Sequence, residues 1–105
     1  MTALTDRERH MMRHALGLTN RKVGYRNKYI AGPSAAEVWR NLVARGLAHE
    51  QSRVDDSDEL PMFSVRLAGV VAVLRDGERM DREEADYVMR LERFLSEPRA
   101  IEVAA

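Results

Sequence analysis

Two short phrases with one grammar bound what this chain can fold into. Thr5-Asp6-Arg7-Glu8 leads into an apolar stripe that ends at Gly17, and Ser34-Ala35-Ala36-Glu37 leads into another that ends at Gly46. In a capping box the Ser or Thr oxygen accepts an orphan backbone N–H three residues on, and the Glu answers back to the cap. Glycine then supplies the left-handed turn that stops a helix. The spacing therefore predicts one helix from Thr5 to about Leu16, burying Met11, Met12, Ala15 and Leu16. It predicts a second, opened by Pro33 and Ser34, burying Val38, Trp39, Leu42 and Val43. Trp39 is the largest apolar side chain and is expected to anchor the core. A chain of 105 residues, 45% hydrophobic and 32% charged, has material for one such core. It has no cysteine, so disulfides, thiolate zinc sites and cysteine nucleophiles are excluded.

After Gly46 the period changes. Residues 47–53 and 62–67 read as two strands of an antiparallel hairpin, joined by the acidic, turn-rich VDDSDELP. Tyr29-Ile30-Ala31 has the composition of a third strand for that hairpin. A third helix is expected from about Ala68 to Leu74, closed by Asp76-Gly77. A fourth is expected from Asp81, paired with Glu84 as in a capping box, to the break at Pro98. Tyr87, Leu91 and Phe94 add a second apolar row to this helix, which predicts deep burial or a homodimer surface. The expected fold class is α+β, mostly helical, with about four helices and a small two- or three-stranded antiparallel sheet. The domain should span 1–98, with 99–105 a frayed tail.

The order helix, loop, helix ending in Gly-Leu, strand, acidic loop, strand, short helix resembles the winged-helix fold over residues 5 to 75. LVARGLAHEQSR is similar to the passage from its groove-reading helix into the wing, and FSVRLAGVVAVL to the returning strand and the helix after it. The resemblance implies that the second helix faces the major groove and the wing touches backbone. A standard winged helix has a further helix where this chain has residues 20–32. The succession HALGL, YRNKYIAGP, WxxLVARGLA and MFSVRLAG also resembles a group of small uncharacterised proteins encoded by phages and prophages. That resemblance implies a phage-type origin and transfers no functional residue.

The segment NRKVGYRNKYIAG, residues 20–32, carries four cations and two tyrosines and no acid. Arg21, Lys22, Arg26 and Lys28 can neutralise phosphates, while Tyr25 and Tyr29 can stack on a base or bond to backbone. The same composition suits two tyrosines folded into the core with the cations left in water, or a surface for an acidic protein. Arg40 and Arg45 on the second helix are the auxiliary nucleic-acid contacts, too few for strong base readout. The charge distribution agrees: residues 1–49 hold nine Arg or Lys against three acids, and residues 50–105 hold eight against fourteen.

Other chemistries find little support. His10 and His14 have the i, i+4 spacing of zinc enzymes, with His49 as a conceivable third ligand, but Met11 stands where the catalytic glutamate belongs. Asp55, Asp56, Asp58 and Glu59 lie together on a loop expected to be solvated, where nothing sets a catalytic pKa. No serine occupies a nucleophile elbow, and neither GxGxxG nor GxxxxGK occurs. The expectation is a non-enzymatic, phage-type binding protein without metal or cofactor: a DNA-binding or DNA-associated accessory factor acting through the basic loop, or alternatively a protein-protein module, either an inhibitor or adaptor of a host factor or a component of a phage particle. The chain's longest apolar run, LAGVVAVL, is far short of the roughly 20 residues that span a bilayer, so it is expected to be soluble and cytoplasmic, without a membrane partner.

Overall fold

Thr5 Oγ1 accepts the backbone N–H of Glu8 at 3.0 Å while Glu8 Oε1 accepts that of Thr5 at 2.9 Å, so the first capping box closes on both sides. The computed structural model describes residues 3–51 and 60–97. Helix α1 runs Asp6–Leu16 and ends at Gly17, whose φ of 78° is left-handed. Its Met11, Met12, Ala15 and Leu16 are buried as the stripe predicts. Two short strands follow, β1 (Val23–Gly24) and β2 (Tyr29–Ile30), then helix α2 (Pro33–Ala44), β3 (Ala48–Glu50), β4 (Met62–Val65), helix α3 (Leu67–Val73), β5 (Arg79–Met80) and helix α4 (Arg82–Ser96). The described residues form an α+β fold with four helices and a three-stranded antiparallel sheet ordered β2-β4-β3.

The second capping box does not form. Pro33, which has no N–H to lose, takes the first position of α2, and this makes Gly32 the cap residue, with no side chain to offer. Ser34 therefore sits inside the first turn. The box at α4 closes on one side only: Asp81 Oδ1 accepts the N–H of Glu84 at 2.9 Å, but the N–H of Asp81 donates instead to Gly24 O at 2.8 Å. Glu84 is left without its reciprocal partner. That diversion belongs to a feature the sequence does not announce, a parallel pairing of β1 with β5 (Val23 with Arg79, Gly24 with Met80). Two-residue strands carry too little alternation to be read from composition.

Tyr29 and Ile30 do join the hairpin, opposite Phe63 and Met62, and Ala31 continues with a single bond to Pro61 O. The hairpin is shorter than expected among the described residues: β3 covers three residues and β4 four. The acidic loop residues Asp55, Asp56, Asp58 and Glu59, and the tail 99–105, lie outside the described residues.

The core is centred where α2 crosses the sheet. Trp39 is fully buried and stacks on Phe63 at 5.6 Å between ring centroids, with Tyr29 at 5.3 Å. Its indole N–H has no acceptor among the described residues, which offsets part of the gain from burying the ring. Helix α3 closes the core from the side of α1 and β4. Gly69 permits this, because a Cβ there would collide with Leu47 O and the side chains of Met12 and Val65. Of the second row on α4, Leu91 is buried and the half-buried Tyr87 packs against the core, its hydroxyl bonded to Gln51 (2.7 Å) and within 3.2 Å of Ser64 Oγ. Phe94 remains 54% exposed. Tyr87 and Leu91 thus serve the interior, and the three do not form one outward surface for a second copy.

Candidate nucleic-acid interface

Asn27 holds the basic segment in place. It is buried, its Nδ2 donates to Val65 O at 2.9 Å, and its Oδ1 accepts from Val65 N–H at 2.7 Å. The side-chain amide thus mimics a strand partner for the end of β4. Two backbone bonds add to this anchoring: the N–H of Tyr25 donates to Leu16 O and that of Lys28 to Ala15 O, satisfying carbonyls at the end of α1. The segment is fixed at both its centre and its flanks. Asn27 points inward, and the cations on either side of it, Arg26 and Lys28, are left on the outer face.

Around that anchor the basic and aromatic groups converge. Arg21 and Arg26 bring their guanidinium carbons to 4.7 Å and 5.3 Å from the centroid of the Tyr25 ring, within the range of cation–π attraction. The ring itself lies against Gly17, where any Cβ would overlap it. Tyr25 stays 46% exposed. Arg26 also donates from Nε and Nη2 to His14 O at 3.2 and 2.8 Å, so it closes the helix end while keeping its charge at the surface.

Three open depressions meet at Arg26. One is lined by His14, Arg26, Lys28, Tyr29 and Ile30. A second has His14, Gly17, Arg21, Tyr25 and Arg26 in its wall. The third, about 450 Å³, runs from Tyr25 and Lys28 to Gln51, Met62, Glu84 and Tyr87. Lys22 is exposed but lines none of the three, and its carbonyl accepts the N–H of Arg79. Tyr29 turns the other way, half-buried between His14 (5.8 Å, edge-on) and Trp39. It is a core ring with one edge at the surface.

Ion pairing sorts the cations of the described residues into two groups. Arg13 pairs with Glu78 at 2.6 Å, Arg40 with Glu50 at 3.1 Å, Arg45 with Glu8 at 3.0 Å and Arg66 with Glu92 at 3.0 Å. Arg21, Lys22, Arg26 and Lys28 enter no ion pair among the described residues, and neither do Arg7, Arg9, Arg75, Arg79, Arg82, Arg90 and Arg93; what sets the four apart is that they share one short segment that carries no acid. Arg40 and Arg45 therefore differ from the other predicted contacts, because each is already matched to a carboxylate of the molecule.

The acids respond accordingly. Hydrogen bonds from Arg13 draw Glu78 down to about 2, and those from Arg66 lower Glu92. Glu8 is lowered mainly by the Thr5 backbone N–H, with Arg45 adding to it. Glu84 moves the other way, raised first by burial and then by Asp81 and Glu83, with Lys28 opposing.

Neither Asn27 nor His14 emerges from sequence as part of this surface. An uncharged residue between two cations, and a histidine already explained by helical spacing, are weak signals. His10 faces a different depression, with Asp6, Arg9 and Arg75, so the two histidines do not share a site. Among the described residues no three His, Asp or Glu side chains converge as a metal ion requires, and no helix is long and apolar enough to cross a membrane. Comparison with protein-family models, with curated proteins and with solved structures finds no match for this chain.

Proposed function

We propose that the protein is a non-enzymatic, phage-type small binding protein that associates with nucleic acid through Arg21, Lys22, Tyr25, Arg26 and Lys28. One observation carries the reading. Arg21, Arg26 and Lys28 gather around Tyr25 and the depressions beside it with no ion pair among the described residues and with Glu84 as the one carboxylate lining those depressions, whereas Arg13, Arg40, Arg45 and Arg66 are all paired. Holding like charges together on a braced loop costs stability, and a polyanion is the partner that relieves it. The order of α2, hairpin and α3 supports a winged-helix-like arrangement in which the extra helix is replaced by β1, β2 and the Asn27 anchor. In this variant the loop, rather than the ion-paired Arg40 and Arg45 of α2, makes the main contact.

The test is an electrophoretic mobility shift on DNA at low and moderate salt. Arg21→Glu/Lys28→Glu is the informative variant, because neither side chain makes a structural hydrogen bond, whereas Arg26 also caps α1. The reading predicts a shift at low salt that weakens with salt and disappears in the variant. An absent shift, or one the variant leaves unchanged, rejects it.

A protein partner is the second reading, favoured by a specific feature of α3. That helix, LAGVVAV, has no polar residue, and Leu67 and Val71 are 37% and 67% exposed. A mostly apolar groove of about 380 Å³ lies there, with Leu4, Leu47, Ala68, Val71, Ala72 and the one cation Arg9 in its wall. Binding of an apolar segment in this groove would survive salt that dissociates DNA, whereas an acidic protein surface held by the basic loop would weaken with salt as DNA does.

A further inference from the structure

Resting on the nucleic-acid reading, the geometry points to a single strand as the ligand: one base stacks on Tyr25, and a neighbouring base enters the cleft beside it, where Glu84 and Gln51 receive its amino group.

A duplex keeps its bases stacked and offers a surface of this kind only its phosphates and groove edges. The Arg26 surface has more to offer than charge. The Tyr25 ring is half exposed, and its position is fixed by contact with Gly17 and by two guanidinium groups. An aromatic platform within a cationic surface is the combination that binds unpaired strands, since every base has a face to stack and every nucleotide a phosphate to neutralise.

The adjoining cleft supplies what a phosphate site has no use for. Glu84 lines it with a carboxylate that accepts no hydrogen bond among the described residues, because the backbone N–H it would have capped, that of Asp81, is taken by Gly24 O. Gln51 lies in the same wall. Its Nε2 donates to both Ser64 Oγ and Tyr87 Oη, which orients the amide and leaves its carbonyl oxygen as an acceptor. A carboxylate repels phosphate, so its position beside Lys28 and Arg26 makes chemical sense if the group that reaches it is a donor. Cytosine, adenine and guanine carry an exocyclic amino donor of that kind, whereas thymine offers only a ring N3–H flanked by two carbonyl oxygens, which a pair of acceptors repels. Lys28 and Arg26 at the mouth would hold the connecting phosphate.

Fluorescence anisotropy with three labelled probes tests this at low salt and neutral pH: a single-stranded run of twelve dC, a run of twelve dT, and a twelve-base-pair duplex of mixed sequence. The dC strand should bind at least about fivefold tighter than the dT strand, and tighter than the duplex. In Glu84→Gln the dC:dT ratio should shrink towards one, with affinity for dT unchanged or improved. If Glu84 acts only as a bulk negative charge, both strands gain alike and the ratio is kept, which overturns the base contact. A duplex bound as well as or better than single strands, or a wild-type ratio near one, overturns the inference and leaves the basic-surface reading standing. No binding of any probe overturns both.

Discussion

Glu78 shows how much of this fold hangs on single side chains. Its carboxylate receives both terminal nitrogens of Arg13 at 2.6 Å and the N–H of Arg75 at 2.8 Å, while Arg13 also donates to Val73 O and Leu18 O. Both partners are about nine-tenths buried. With the folded-state value drawn from 4.5 to about 2, the pair's contribution is complete above about pH 4.5 and drains away as the pH falls towards 2. Glu78→Gln should therefore lower stability by about 3 kcal/mol at pH 7. The wild-type and variant denaturant midpoints should converge between pH 4 and 2; a gap that stays constant contradicts the assignment. Gly17 offers a second test, because its φ is positive and its α-carbon lies against the Tyr25 ring. Gly17→Ala should cost about 1–2 kcal/mol from the backbone alone and should also displace Tyr25, weakening nucleic-acid binding. Gly46→Ala has the same backbone cost but open space around it, so it should lower thermal stability and leave binding intact.

At the scale of elements, the cap assignments separate what sequence conveys from what it cannot. Asp81 caps α4 through its side chain, whereas Ser34 is displaced from the cap of α2 by Pro33. Asp81→Ala should cost about 1 kcal/mol, a fall in melting temperature of about 4 °C or more. Ser34→Ala should leave the melting temperature nearly unchanged, and equal losses in the two variants would refute the cap placement. All four helices, the hairpin and its third strand were legible in the sequence, because 3.6-residue stripes, glycine stops and alternation are local signals. The β1–β5 pairing was not legible, since it joins segments more than fifty residues apart through two backbone positions each. The cationic cluster of the candidate site was visible as composition. Its geometry depends on Asn27 bonding to Val65 and on Asp81 releasing Glu84 to the cleft, both long-range events without a sequence signature.

Across the whole molecule, the opposed charges of the two halves are only partly spent on each other. Arg13–Glu78 and Arg40–Glu50 join the basic half to the acidic one, while Arg45–Glu8 and Arg66–Glu92 stay within their own halves. Of the basic half's cations outside these pairs, Arg21, Lys22, Arg26 and Lys28 lie on a loop braced by α1 and β4, and Arg7 and Arg9 lie on α1 itself. The most direct measurement of whether the loop's charge exists for a polyanion is the dependence of single-strand affinity on salt. Three to four neutralised phosphates predict a slope of log K against log salt between about −2 and −3, flattening by roughly half or more in Arg21→Glu/Lys28→Glu. A slope near zero, or one that the charge reversal leaves untouched, would contradict the account.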